Sequence, residues 1–172
     1  MNVREAIMNR QSVRSFSERK VPEHIIYDII LHAHRAPSAG NLQARDFIIV
    51  DDSEIKQALC KAALNQEFLV EAPVNIVVCA NLSRIKPYGK RGLELYCIQD
   101  SAAAADHILL LAFEYGLAAC WVGAFNEAEV KTILRLPDHI RPVAIVPLGY
   151  LKSSPELTSR IDVHKLIHKN KW

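Results

Sequence analysis

The sequence predicts one globular domain in which α-helices and buried β-strands both contribute to the core. Half of its 172 residues are apolar and 23% are charged, which is typical of folded soluble domains. Isoleucines recur at helical spacing through residues 25–33. Short apolar runs at residues 47–50, 74–79 and 117–125 are typical of buried strands. A chain of this length suffices for a sizeable core.

The overall charge and the cysteines narrow the function classes. A net charge of +2 is too small to indicate a nucleic-acid or membrane partner. Basic residues collect at both chain ends, and they would form one anion site if the ends meet. The four cysteines form no C-x-x-C pair, so we interpret them as reduced packing residues of a cytoplasmic protein. Nothing at the N-terminus resembles a signal peptide.

The N-terminal residues change from helical to alternating spacing near Arg10. Alternation over residues 10–16 puts Arg10, Ser12 and Arg14 on one side of an extended segment. Two guanidiniums beside a hydroxyl suit a phosphate or an electron-rich carbonyl edge, because arginine donates several hydrogen bonds in one plane. An ordinary solvated face is the alternative interpretation of this short pattern.

A polar loop at residues 36–43 separates the second helix from the first strand. Pro37 and Gly40 predict a turn there. Ser38, Asn41 and Gln43 add a hydroxyl and two amides, which are uncharged groups suited to the rim of a flat heteroaromatic ring. A solvated turn explains the same residues if the loop is considered alone.

The middle of the chain predicts alternating helices and strands. Ser53 is expected to cap a helix over residues 54–64, after which Asn65 and Gln66 form either a helix cap or part of a site. The basic, turn-rich residues 81–92 are a candidate mobile lid or partner contact. A long helix over residues 94–115 should end at Gly116. Polar residues interrupt the apolar region 102–125, which favours a core helix and strand over a membrane span.

The last part of the chain predicts a strand, a short helix, a strand and a terminal helix. Gly123 lies late in the strand at 117–125, where it marks either a bulge or a close approach to the backbone. A helix capped by Asn126 and a strand over residues 141–148 should follow. A terminal amphipathic helix is expected from about Asp162. It carries His164 and His168, for which no third metal ligand is nearby, so we expect no metal site.

Five motifs, in this order, resemble those of the nitroreductase-like family of FMN-dependent oxidoreductases. They are R-Q-S-V-R-S-F, A-P-S-A-G-N-L-Q, A-P-V-N-I-V-V, G-L-A-A-C-W-V-G-A-F and S-R-I-D-V-H. The resemblance covers essentially the whole chain and implies one FMN-binding domain over residues 1–172. The implied fold is α+β, an α/β/α sandwich around a mixed, mainly antiparallel sheet. It also implies an intertwined homodimer with one FMN at each subunit interface.

The resemblance assigns cofactor contacts to five parts of the chain. Arg10, Ser12 and Arg160 would hold the FMN phosphate, with Gln11 and Arg14 near the phosphate and the ring edge. Pro37, Ser38, Ala39, Asn41 and Gln43 would reach the flavin bound mainly by the other subunit. Asn65 or Gln66 would face the pyrimidine edge, and the backbone of Val122, Gly123 and Ala124 would lie at the flavin N5.

One departure from the family pattern concerns the residues after the loop. Ala44 and Arg45 stand where many members carry Pro-Trp, and we expect this change to alter the wall of the substrate pocket. Because the chain lacks large insertions, the pocket cover should come from residues 81–92 or from the partner subunit.

The resemblance implies ping-pong turnover, in which NADH or NADPH reduces FMN at N5 and an electron-poor acceptor, such as a nitroaromatic or a quinone, then reoxidises it. The flavin carries this chemistry, so no side chain is assigned as acid, base or nucleophile. Two alternatives stay open at this stage. One is an FMN carrier or sensor without turnover, and the other is a structural dimer or nucleic-acid partner that uses the basic ends.

Overall fold

Helices cover both faces of a four-stranded antiparallel sheet in the computed structural model, which describes residues 2–155 and 158–172. The strands are β1 (Arg45–Val50), β2 (Val74–Asn81), β3 (Ala118–Ala119) and β4 (Ile140–Gly149). The α-helices are α1 (Val3–Asn9), α2 (Glu23–Ala33), α3 (Ser53–Ala62), α4 (Phe68–Glu71), α5 (Gly89–Arg91), α6 (Cys97–Glu114) and α7 (Glu127–Ile133). Shorter turns are 3₁₀ at Ala39–Asn41, Lys86–Tyr88 and Val163–Lys165, and π-helical at Gly92–Tyr96.

The sheet has the strand order β1-β2-β4-β3, so β2 and β4 lie at its centre. Every residue of β2 is buried, which agrees with its nearly continuous apolar sequence. All pairings between these strands are antiparallel, and one isolated parallel bridge joins Ser12 to Ala119. Residues 10–16 therefore extend the sheet beyond β3, and the sheet is mixed but mainly antiparallel, as expected.

Alternate residues of β2 enter two separate cores. Ile76 and Val78 pack on one face against α2 and α6. Val77 and Cys79 pack on the other face against α3, α4 and α7. The helical partners are Ile29, Ala33, Ile108 and Ala112 on the first face, and Leu59, Leu69 and Val130 on the second. Because strand side chains alternate between faces, one central strand holds the three layers of the sandwich together.

Several predicted helix boundaries are correct, and one cap is not. Asn126 caps α7 by accepting hydrogen bonds from two backbone amides of the first turn. Gly116 lies at φ +68° just after α6, where its lack of a Cβ allows the left-handed backbone that ends the helix. The cap of α3 is Asp52, whose Oδ1 accepts from the Ile55 amide, whereas Ser53 was expected in that role. A carboxylate there also interacts favourably with the helix dipole.

The segment over residues 81–92 is folded onto the domain. Ile85 is fully buried, and two short helical turns follow it before the π-helical turn. Arg84 donates hydrogen bonds to the carbonyls of Gln43 (3.2 Å) and Arg45 (2.8 Å), and it pairs with Asp46 at 3.0 Å. The segment is therefore anchored beside the loop that precedes β1.

Two predicted elements are shorter than expected. The strand expected over 117–125 is limited to β3 and to an isolated antiparallel bridge between Val122 and Ile145. The expected terminal helix is only the 3₁₀ turn Val163–Lys165. The apolar face of that helix was expected to pack inward, but its residues Val163, Leu166 and Ile167 are exposed. A short amphipathic helix is not stable without a surface to pack against, and the described part of this subunit provides none there. Among the described residues, none of the helices has both the length and the apolar character to cross a membrane.

Candidate functional site

The extended segment after α1 presents two arginines and a serine at one edge of the sheet. The Val13 amide donates to the Ala119 carbonyl at 3.0 Å, which aligns the segment beside β3. Val13 and Phe16 are buried, whereas Ser12 and Arg14 are exposed. The alternation predicted from the sequence is therefore present, and it leaves the polar residues on the accessible side.

The guanidiniums of Arg10 and Arg14 are available to an anion. Among residues 2–155 and 158–172, neither side chain forms an ion pair or donates a hydrogen bond to another residue. Burial raises the pKa of the Cys120 thiol. The positive charges of Arg14 and Arg10 and a hydrogen bond with Ser12 oppose that rise. All three residues therefore lie near the Cys120 thiol, and we call Arg10, Ser12 and Arg14 the anion grip.

Bare backbone and a side-chain amide lie a few residues after Ala119 and Cys120, the residues nearest the anion grip. Gly123 and Ala124 are exposed. A Cβ added at Gly123 would meet only the Trp121 indole, with Nε1 at 3.4 Å, so the backbone there is open to a ligand. Gln66 donates from Nε2 to the carbonyl of Ala124 at 3.1 Å, which brings the end of α3 to this segment. Backbone amides at such a position are suited to bind a flat polar ring.

The sequence left open whether Asn65 and Gln66 form a helix cap or part of a site, and the structure shows a different arrangement at each residue. Asn65 adopts φ +57°, and its amide donates to the Cys60 carbonyl at 2.9 Å, which is a helix-ending arrangement. Its side chain is exposed. Gln66 instead uses its side chain to contact Ala124, so only Gln66 is fixed beside the open backbone.

The polar loop at residues 36–43 has an unusual backbone. Gly40, Asn41 and Gln43 all adopt positive φ, at +54°, +55° and +51°. The Gln43 amide donates to Ser38 Oγ at 3.0 Å, and Gln43 Nε2 donates to the carbonyl of Asn41 at 3.1 Å. Pro37 and Asn41 are exposed, and Ser38, Ala39 and Gln43 are partly exposed. The loop therefore holds a left-handed turn whose polar groups remain accessible.

A buried arginine supports this loop from below, which the sequence analysis missed. Arg45 is only 2% exposed, and it donates to the carbonyls of His34 (2.8 Å), Pro37 (3.1 Å) and Asp100 (3.0 Å), and also to that of Ala36. Burial lowers the pKa of Arg45, and the charge of Asp100 opposes that shift. Ala44 and Arg45 are both buried, so neither side chain itself lines an open pocket. A charged residue directly before an apolar strand was the available signal.

The anion grip and the polar loop occupy opposite corners of the sheet. Ser12 lies beside Ala119, which pairs with Leu148 near the end of β4. Arg45 begins β1, and pairing through β2 brings it level with Arg141 near the start of β4. Four inter-strand steps of about 4.8 Å and seven residues of about 3.4 Å separate them, a diagonal on the order of 30 Å. This distance exceeds the length of one mononucleotide. Among the described residues, no hydrogen bond joins the loop to the grip.

The last predicted contact, Arg160, lies outside both groups. It belongs to residues 158–172, all of which are exposed. In the described part of the chain, it makes no hydrogen bond or ion pair with the anion grip. The exposed apolar side chains of this segment are Ile161, Val163, Leu166, Ile167 and Trp172. Among the described residues, no hydrogen bond or ion pair therefore joins the basic side chains of the two ends.

Comparison with known proteins identifies the family of this chain. A family model described as the nitroreductase family matches residues 7–67 and 57–150. This chain belongs to the nitroreductase family. A protein of Methanothermobacter thermautotrophicus, with the provisional name NADH dehydrogenase/NAD(P)H nitroreductase, is 35% identical over 176 residues, which span 100% of this chain and 88% of that protein. The family predicted from the five motifs is therefore confirmed.

Two further nitroreductase-family comparisons bear on the fold and on the cofactor. The crystal structure of a nitroreductase family protein from Clostridium difficile 630 superposes with a TM-score of 0.89 at 29% identity, and it covers 100% of both chains. The predicted α+β fold class is therefore also confirmed. The FMN reductase (NADPH) of Bacillus subtilis is 26% identical over 185 residues, which span 99% of this chain and 74% of that protein.

Proposed function

We propose that this chain is an FMN-dependent NAD(P)H oxidoreductase that acts as a homodimer on nitroaromatics, quinones or similar electron-poor acceptors. Family membership and the relatives named above support the oxidoreductase class and the flavin. The observation that carries the proposal is the anion grip, whose two arginines form no ion pair with any described residue, near the open backbone of Gly123 and Ala124. If a ligand binds the anion grip through its anionic group, the rest of the ligand would lie along the exposed backbone of Gly123 and Ala124.

The donor set fits the two ends of FMN. A phosphate dianion needs charge-assisted donors. Arg10 offers one without first breaking an ion pair or hydrogen bond to another described residue, and Ser12 adds a hydroxyl. The ring needs neutral donors and acceptors around its rim. Ser38, Asn41 and Gln43 of the loop, Gln66, and the amides near Gly123 supply these groups. We propose that Arg160 also binds the FMN phosphate. The remaining residues proposed to contact the cofactor are Gln11, Pro37, Ala39, Asn65 and Val122.

The chain itself positions reactants, while the bound flavin supplies the redox chemistry by taking a hydride from NAD(P)H and passing electrons to an acceptor. The absence of a side chain at Gly123 leaves room for both reactants to approach in turn, which is the basis for proposing ping-pong turnover. We propose that Arg14 lies at the ring edge that gains negative charge on reduction. A fixed cation there stabilises the reduced form.

The distance between the two groups of predicted contacts supports the proposed homodimer. One mononucleotide cannot touch both corners of a sheet that lie on the order of 30 Å apart. A twofold-related partner would bring its loop to the anion grip of this subunit. The exposed apolar residues of the C-terminal segment support the same assembly, because such residues gain stability when a partner covers them. We further propose that residues 1–172 form one FMN-binding domain and that the protein is cytoplasmic.

The test is to mix the purified protein with NADH or NADPH without oxygen while recording the flavin absorbance. The proposal predicts a yellow protein whose flavin band bleaches and then recovers when a quinone or nitroarene is added. A yellow protein that never bleaches would instead indicate an FMN carrier or sensor. A colourless protein that does not bind added FMN at micromolar concentration would contradict the proposal altogether.

A further inference from the structure

A buried arginine and a buried aspartate hold the polar loop in its left-handed conformation from two sides. Arg45 extends under the loop and is hydrogen-bonded to the carbonyls of Ala36 and Pro37. Asp100 lies on α6, and its Oδ1 accepts from the Ala39 amide at 2.9 Å. Arg45 also donates to the main-chain carbonyl of Asp100 at 3.0 Å, which joins the two supports to each other.

Arg45 and Asp100 place ionisable side chains in the interior, where apolar residues are more common. Both residues are nearly inaccessible, at 2% and 5% exposure. A buried charge is costly unless it is paired and hydrogen-bonded, and apolar residues of similar size often serve stability as well or better. Unlike an apolar residue, Arg45 donates directed hydrogen bonds to several backbone carbonyls at the start of the loop.

The bonds made by Arg45 and Asp100 fix the part of the loop that bears the accessible polar groups. Positive φ is unfavourable for a residue with a Cβ, so Asn41 and Gln43 keep it only if their surroundings impose it. The anchored carbonyls and the Ala39 amide lie immediately before them in the chain. Tyr88 closes the outer side, because a Cβ on Gly40 would lie 2.5 Å from its hydroxyl.

We propose that Arg45 and Asp100 are positioning residues that preorganise the loop for the flavin ring. This inference rests on the proposed function, since it concerns how well the loop receives FMN. It assigns neither residue a contact with the cofactor. Preorganisation raises affinity because the loop does not have to be ordered when the ligand binds.

The test compares Arg45→Met with a matched control, Lys56→Met. Lys56 is another buried cation, at 9% exposure, and it donates to the carbonyls of Val70 (3.2 Å) and Ala72 (2.9 Å), away from the loop. Both variants should lower the melting temperature. Arg45→Met alone should raise the Kd for FMN, by about tenfold or more, which corresponds to roughly one charge-assisted hydrogen bond. It should also change the visible spectrum of the bound flavin.

Two milder variants cover the case in which Arg45→Met does not fold. Arg45→Lys keeps the charge but loses the planar fork, and we expect a smaller rise in the Kd, about threefold to tenfold. Asp100→Ala removes the acceptor of the Ala39 amide and places alanine in a helix, where it is the most favourable residue. It should raise the Kd by about fivefold. Unchanged Kd values for both folded variants would overturn the inference.

A second readout separates this inference from the proposed function. Hydrogen exchange of the Asn41, Leu42 and Gln43 amides, measured without FMN, should be faster in Asp100→Ala and Arg45→Lys than in wild type and Lys56→Met. Wild-type protein that does not bind FMN, together with faster exchange in these variants, would refute the proposed function and leave the loop support intact. Binding by wild type with equal exchange and equal Kd in all variants would refute the loop support alone.

Discussion

Replacing Arg10 by methionine tests the anion grip with little effect on the fold. Among the described residues, Arg10 forms no ion pair and donates no side-chain hydrogen bond. The free energy of unfolding should therefore change by less than about 0.5 kcal/mol. For a chain of this size that is a melting-temperature change of under about 2 °C.

The effect on FMN should be much larger. A hydrogen bond to a charged group contributes about 1.5–3 kcal/mol, and about 1.4 kcal/mol is a tenfold change in Kd. Arg10→Met should therefore raise the Kd for FMN by about 10–150-fold. Riboflavin lacks the phosphate, so its Kd should stay within about twofold of wild type.

The assay is titration of apo-protein with FMN or riboflavin, followed by quenching of flavin fluorescence. Arg4→Met is the matched control, because Arg4 is an exposed arginine of α1 outside the anion grip. It changes the net charge equally, and it should alter neither Kd. Equal FMN affinity in Arg10→Met and Arg4→Met, or equal losses for FMN and riboflavin in Arg10→Met, would refute the assignment of the phosphate to this site.

Three further predictions concern other parts of the molecule. Arg14→Ala should lower the flavin midpoint potential and weaken FMN binding, because it removes a cation that favours the reduced ring; an unchanged potential in the holo-protein would contradict this role. Gly149→Ala should lower the melting temperature by about 2–12 °C, because its Cβ would lie 2.5 Å from Cδ of Pro73 and overpack the core; an unchanged melting temperature would contradict it. Burial raises the pKa of the Cys79 thiol from 9.0 to about 12. Between pH 9 and 12 this thiol ionises only in the unfolded chain, so the free energy of unfolding should fall with pH more steeply in wild type than in Cys79→Ala. Urea unfolding should show a difference of roughly 1.4 kcal/mol per pH unit. Parallel pH profiles of the two proteins would exclude that shift.

Elements that bury a continuous apolar pattern were predictable from the sequence. The stripe of α2 and the apolar runs of β1, β2 and β4 were all identified, because the period of burial is a local property of the chain. The 117–125 region was also apolar, but only two of its residues form a regular strand. The buried residues of this region lie in loop segments and isolated bridges. An apolar run alone does not distinguish these from a regular paired strand. The prediction of a terminal helix was wrong because an amphipathic pattern does not show whether a surface is available to cover its apolar face.

The exposure of the candidate site's polar residues was predictable from the sequence. Alternation placed Ser12 and Arg14 on one accessible side, and the motif order gave the family. The support of the loop was not predictable, since Arg45 and Asp100 are 55 residues apart and only the fold brings them together. The positive φ of Asn41 and Gln43 was also missed. Local sequence favours such a backbone at asparagine only weakly, and here tertiary hydrogen bonds accompany it.

The central claim is that each flavin site joins the anion grip of one subunit to the loop of the other. Its most direct test is a mixed dimer of Arg10→Met and Asn41→Gly subunits, purified with two different tags. Glycine keeps the left-handed backbone at position 41 while removing the amide. If sites are shared between subunits, the mixed dimer contains one site with an intact grip and an intact loop, and it should show about half of the wild-type NAD(P)H oxidation, well above either variant alone. Activity no higher than the mean of the two variant homodimers would contradict the account, because every site would then carry one defect.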